Sequence, residues 1–129
     1  MHVNELLDMV AEFQIATDQT VNLEPTILST RESNLRYELM KEENAEYYVG
    51  SIKKDKVEIL DALVDKMYIL LGTINSNGMQ SVFMEAFNRV HLNNLTKIGA
   101  DGKVLKDPNG KILKPQGFKA VSLKDLIEN

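Results

Sequence analysis

At 129 residues, with 43% hydrophobic and 26% charged side chains, the chain has the length and balance of a single domain, 1–129, with its own core. A net charge of −4 gives no electrostatic ground for nucleic acid as a partner, and the absence of cysteine excludes disulfides and thiolate metal sites. Near the start, apolar residues alternate with Glu5, Asp8 and Glu12 rather than forming a secretory leader, and no apolar stretch is long enough to span a membrane; a cytoplasmic location is expected.

A first helix is predicted over residues 3–17, with Leu6, Val10, Phe13 and Thr17 as its stripe. A loop containing Pro25 follows. Ser29 and Glu32 have capping-box spacing and open a second helix that should run to about Tyr48, where Gly50 and Ser51 supply a break. Leu35 and Leu39 begin the buried stripe of this helix, and its continuation falls on Glu42, Glu43 and Glu46. The third helix is predicted from about Lys54 to Ile74, on a stripe of Val57, Leu60, Val64, Tyr68 and Leu71. Asp61 lies within that stripe, and Glu58 and Asp65 lie along one edge. Ile59, Leu63 and Leu70 occupy nearly the opposite face, so a second buried contact, with another subunit, is expected.

A turn is expected at 75–78, then a fourth helix from about Met79 to Lys97. Its apolar stripe of Phe83, Phe87 and Val90 turns polar at Asn94 and Lys97. From Gly99 the turn formers crowd together. Lys103–Lys106 and Lys111–Lys114 flank Pro108-Asn109-Gly110 and predict a short hairpin or an irregular tail over 99–129. The fold class is therefore all-α, an antiparallel helical-hairpin bundle over 1–98 with a lysine-rich tail.

An acidic run on a helix is ordinarily a solvated face. Here the acids lie in register with the leucines on two consecutive helices that should pack as an antiparallel hairpin. They also come in i, i+3 and i, i+4 pairs, which set carboxylates side by side. Facing clusters would repel and be costly to desolvate without a cation between them. Carboxylates with no cysteine or histidine nearby select a hard ion; Mg²⁺ fits best, with Mn²⁺ as its usual substitute. His2 and His91 lack a ligand spacing. Such a site suits metal-assisted hydrolysis of a phosphoanhydride.

Glu42-Glu43-x-x-Glu46, followed by Glu58-x-x-Asp61, resembles the EExxE…ExxD signature of the all-α nucleoside triphosphate pyrophosphatases. That superfamily includes MazG-like proteins, dimeric dUTPases and phosphoribosyl-ATP pyrophosphohydrolases. Asp61-Ala62-Leu63-Val64-Asp65, with Tyr68 and Gly72, resembles a subgroup whose third helix reads DALxDxxYxxxG. Residues 90–97, Asp101-Gly102-Lys103 and Gly110–Pro115 are similar to the same subgroup, so the likeness covers roughly 31–115.

The resemblance implies helical hairpins that assemble as a homodimer or homotetramer, and cleavage of a nucleoside triphosphate to monophosphate and pyrophosphate. Carried over by position, it implies Glu43, Glu46 and Asp61 as the best metal ligands, with Glu42 and Glu58 completing the signature and Asp65 as the alternative last acid. Asp61, nearer the centre of the stripe, is the acid expected to matter more. Glu43 is the expected catalytic residue, orienting the attacking water or taking its proton. Asn94, Lys97, Lys106 and Lys114 are candidate substrate contacts, able to serve a ribose, a base or phosphate oxygens, and Tyr68 is the best aromatic candidate. The competing reading is a non-catalytic helical interaction protein with a structural or relic cation site.

Overall fold

The computed structural model describes residues 1–128 and is helical, with five helices among them: α1 (Val3–Ala16), α2 (Thr30–Ile52), α3 (Lys56–Ser76), α4 (Gln80–Leu95) and α5 (Lys124–Ile127). The expected all-α fold is what forms. The chain divides into two compact units, Met1–Ser81 and Val82–Asn129.

In the first unit α3 packs against both α1 and α2. Ser29 starts α2, its hydroxyl accepting from the Glu32 amide at 3.2 Å. Asp55 starts α3, accepting from the amides of Val57 and Glu58. Only residues 53–55 separate the two helices, so they run antiparallel. α2 continues through the expected break at Gly50 as far as Ile52, because Gly50 is needed there as packing rather than as a stop. A Cβ at Gly50 would lie 3.1 Å from the Ile59 amide nitrogen. α3 likewise runs through Asn75 and Ser76, beyond its predicted end, because both are buried against α1 and the loop after it.

The α2–α3 contact holds an even register. Gly50 meets Glu58, Glu43 lies beside Asp65, and Gly72 lies under Arg36; each step of seven along α2 matches seven along α3. The residues of α3 that turn inward are therefore Ala62, Asp65, Ile69, Gly72 and Ser76. This corrects the predicted stripe. Val57, Leu60 and Val64 are 77%, 63% and 55% exposed, and Leu63 and Leu70 on the other side are exposed as well. The middle of the hairpin is closed largely by small and polar residues while these aliphatics face outward; of the predicted stripe Leu71 is buried, as is Ile74 beside it.

α1 also differs from its predicted stripe. Its buried residues are Leu7, Val10 and Gln14, whereas Phe13 and Thr17 are exposed. Gln14 is turned in because Asn75 and Ser76 meet it. Its amide donates to the Gly72 carbonyl and to Ser76 Oγ, and its oxygen accepts from Asn75 Nδ2 at 3.1 Å. These buried polar groups are thereby paired.

In the second unit the predicted hairpin is reduced to a single antiparallel bridge between Lys106 and Ile112. Asp107 tightens the turn, its carboxylate accepting from the amides of Asn109 and Lys111. Arg89 on α4 grips both oxygens of Asp125 on α5, at 2.7 and 2.9 Å. Among the described residues no helix is long and apolar enough to cross a membrane.

Candidate functional site

Halfway along the α2–α3 hairpin, Glu43, Glu46 and Asp65 bring one carboxylate oxygen each to within 4.8 Å of one another. Glu43 and Glu46 lie one turn apart on α2, and the hairpin register sets Asp65 against them. Glu43 and Asp65 are half-buried and Glu46 is exposed, so the cluster opens to solvent on one side. Glu46 also borders a cleft of about 440 Å³ with Glu42, Ala45, Val49, Glu58 and Asp61. Glu42 and Asp61 are exposed there, and Glu58 is half-buried. Lys53 Nζ reaches one oxygen of Glu58 at 3.4 Å.

All six predicted acids thus lie along one hairpin, and the packing places the two aspartates among them differently. The sequence placed Asp61 nearer the centre of the inward face. In the structure Asp61 is exposed, and Asp65 is the aspartate that closes on Glu43 and Glu46. The reason is the inward line of α3, which passes through Ala62 and Asp65 rather than through Leu60 and Val64.

Two carboxylate oxygens, Glu43 Oε2 and Glu58 Oε2, are buried without any hydrogen-bond partner. A buried acceptor left unpaired is unfavourable. Here two such acceptors sit amid further acids, a donor set of hard oxygens that fits a divalent cation. Glu43 titrates accordingly. Its pKa is raised to about 7 by burial, by a hydrogen bond with Glu46, and by the charges of Glu46, Asp65 and Glu42.

The sign of the linkage follows. A carboxyl that holds its proton more tightly folded than unfolded lends stability at low pH, and that stability is lost as pH rises through about 7. The metal-free protein is therefore expected to melt at lower temperature at about pH 8 than at about pH 5, and Glu43→Gln should flatten that slope. A midpoint that climbs over this range in the wild-type chain, or an unchanged slope in the variant, would contradict this account of Glu43. Added divalent metal should release protons near neutral pH.

Tyr68 follows Asp65 by one turn and stands edge-on to Phe13, ring centroids 5.9 Å apart. Asn94, Lys97, Lys106 and Lys114 belong to the second unit. Asn94 is exposed, Lys106 forms the bridge with Ile112, and Lys97 and Lys114 converge on Phe118, at 5.5 and 6.0 Å from the ring centre.

A buried charged residue escaped the sequence reading. Arg36 lies two turns before Glu43 and is 6% exposed. It donates to Thr73 Oγ1, Gln19 Oε1 and the Ile69 carbonyl, at 3.0, 3.2 and 2.8 Å. The available signal was the register itself: Arg36 and Gly72 stand seven residues outside Glu43 and Asp65 respectively.

No curated protein matches the chain. The family model for phosphoribosyl-ATP pyrophosphohydrolase matches residues 10–94, which take in the second half of α1, the acid-bearing hairpin and almost all of α4. The chain belongs to the phosphoribosyl-ATP pyrophosphohydrolase family, within the MazG-like nucleoside triphosphate pyrophosphatase superfamily.

Proposed function

We propose that this pyrophosphohydrolase cleaves a nucleoside triphosphate, or a related nucleotide, to a monophosphate and pyrophosphate, with Mg²⁺ as its cofactor and Mn²⁺ as a substitute. The observation that carries the reading is the gathering of Glu43, Glu46 and Asp65 beside a buried, unpaired oxygen of Glu43. Glu43, Glu46 and Asp65 would hold the ion, with Glu42, Glu58 and Asp61 along the adjoining cleft. When bound, a divalent cation supplies Lewis-acid polarisation of the phosphoanhydride and lowers the pKa of nearby water. Glu43 is suited to orient that water and accept its proton, because one of its carboxylate oxygens has no hydrogen-bond partner within the protein. In the second unit, the paired ammonium groups of Lys97 and Lys114 form a cationic surface of the kind that phosphate oxygens take.

The protein is further proposed to act as a homodimer or homotetramer, because the aliphatics of α3 are exposed on two sides of the single chain. A purely structural docking protein would expose the same aliphatics. It would not change its melting temperature when Mg²⁺ and a nucleotide are added together, whereas a catalytic site should respond to the pair.

The deciding experiment is a screen of nucleotides for pyrophosphate release with Mg²⁺ or Mn²⁺. Within it, Asp65→Asn is expected to lose at least about 100-fold in rate, and Asp61→Asn less. The opposite order would return the ligand role to Asp61. No release from any nucleotide with either metal would refute the proposed reaction.

A further inference from the structure

Arg36 is a buried cation with no acid beside it. Among the described residues its guanidinium bonds only to a hydroxyl, a side-chain amide and a backbone carbonyl, and no carboxylate pairs with it. The fold makes room for it. A Cβ at Gly72 would fall 2.6 Å from Arg36 Nη2. The three bonds use three of five N–H hydrogens and leave one on each terminal nitrogen. Where the free hydrogens of the two terminal nitrogens run parallel, a guanidinium is complementary to two acceptor atoms side by side.

Arg36 also lines a cleft of about 230 Å³ whose walls include Phe13, Leu39, Tyr68 and Ile69. Leu39 precedes Glu43 by one turn and Tyr68 follows Asp65 by one turn, so the cleft begins where the acid cluster ends. From Glu43 to Arg36 is two helical turns, about 10 Å along the hairpin. A ribose and its first phosphate bridge a gap of that order.

We infer that this cleft takes the base of the substrate nucleotide, and that Arg36 selects a 6-oxopurine by meeting two adjacent acceptors on its edge. Guanine and hypoxanthine present O6 and N7 side by side, whereas adenine presents N7 beside a donor amino group. The aromatic and aliphatic walls suit a flat ring. A phosphate is the poorer fit, because it would shed its water against Phe13, Leu39 and Ile69 with one cation to meet it. The placement rests on the hydrolase reading, which puts the phosphates at the acids.

The test is calorimetric titration of the whole chain, with Mg²⁺, against GMP, IMP, AMP and inorganic phosphate. GMP and IMP are expected to bind at least about tenfold tighter than AMP. Arg36→Lys keeps the charge but loses the fork, and should close that gap. Gly72→Ala should close it too, by displacing the guanidinium, although alanine suits a helix better than glycine. Circular dichroism checks that each variant folds. If Arg36→Lys does not, Gly72→Ala carries the comparison, and the wild-type preference decides alone if neither folds. AMP binding as tightly as GMP, no binding of either at millimolar concentration, or phosphate binding as tightly as GMP would each overturn the inference. The two readings fail separately. Selective GMP binding without pyrophosphate release sinks only the hydrolase, and equal turnover of all bases sinks only the base selection.

Discussion

Glu43→Gln and Glu46→Gln are each expected to stop pyrophosphate release, by at least about 100-fold, while the metal-free protein melts no lower than the wild type. The two halves of this result have one cause. Glu43, Glu46 and Asp65 hold carboxylate oxygens within 4.8 Å of one another, and an oxygen of Glu43 is buried without a partner. Burial, and then the neighbouring acids that repel one another without a cation, keep the proton on Glu43 to about pH 7. A neutral amide of the same shape removes a repelling charge and brings its own donor. Helix content by circular dichroism should therefore be unchanged. Added divalent metal is expected to raise the midpoint of the wild-type chain and to leave that of either variant unshifted. Full activity in both variants would remove the acids from the reaction. A large drop in metal-free stability would mean that the carboxylates hold the hairpin together through bonds that the packing does not show.

What the sequence made legible was the helical order, the acid set and the family. What it obscured was which way the helices turn. Amphipathic reading assumes that the apolar face is the inner face. That holds for Leu7 and Val10 on α1, and for Leu71 and Ile74 on α3, which are buried. It fails for the rest of α3, where Ala62, Asp65 and Gly72 turn inward and Leu60 and Val64 turn out. Small residues at Gly50, Ala62 and Gly72 bring the helices close enough to bury Arg36 and half-bury Glu43, and no hydrophobic pattern announces such a contact. The same turn of the helix leaves Asp61 exposed and sets Asp65 beside Glu43 and Glu46. A seven-residue repeat of small and polar residues on both helices would have found Asp65, Arg36 and Gly72 together.

Leu63→Glu is expected to break the proposed self-assembly while leaving the single-chain fold in place. Leu63 is 48% exposed in the chain, and Val57, Leu60 and Val64 of the same helix are more so. Leu35, Tyr48 and Ile52 leave α2 in a similar condition, each more than half exposed. Burying one such side chain fully is worth about 1.5–3 kcal/mol, so a partner that covered several would be held firmly. A second copy brings the same surface and can satisfy it by two-fold symmetry. A glutamate at position 63 stays hydrated in the free chain but would lose its water inside an interface, which costs several kcal/mol when it is unpaired. Sedimentation at tens of micromolar should show the wild type as a dimer or tetramer and the variant as a smaller species. Helix content should be retained by circular dichroism, because Leu63 is not part of the α2–α3 seam. A wild-type monomer would show that these aliphatics serve no self-contact. An unchanged oligomer in the variant would move the interface away from Leu63.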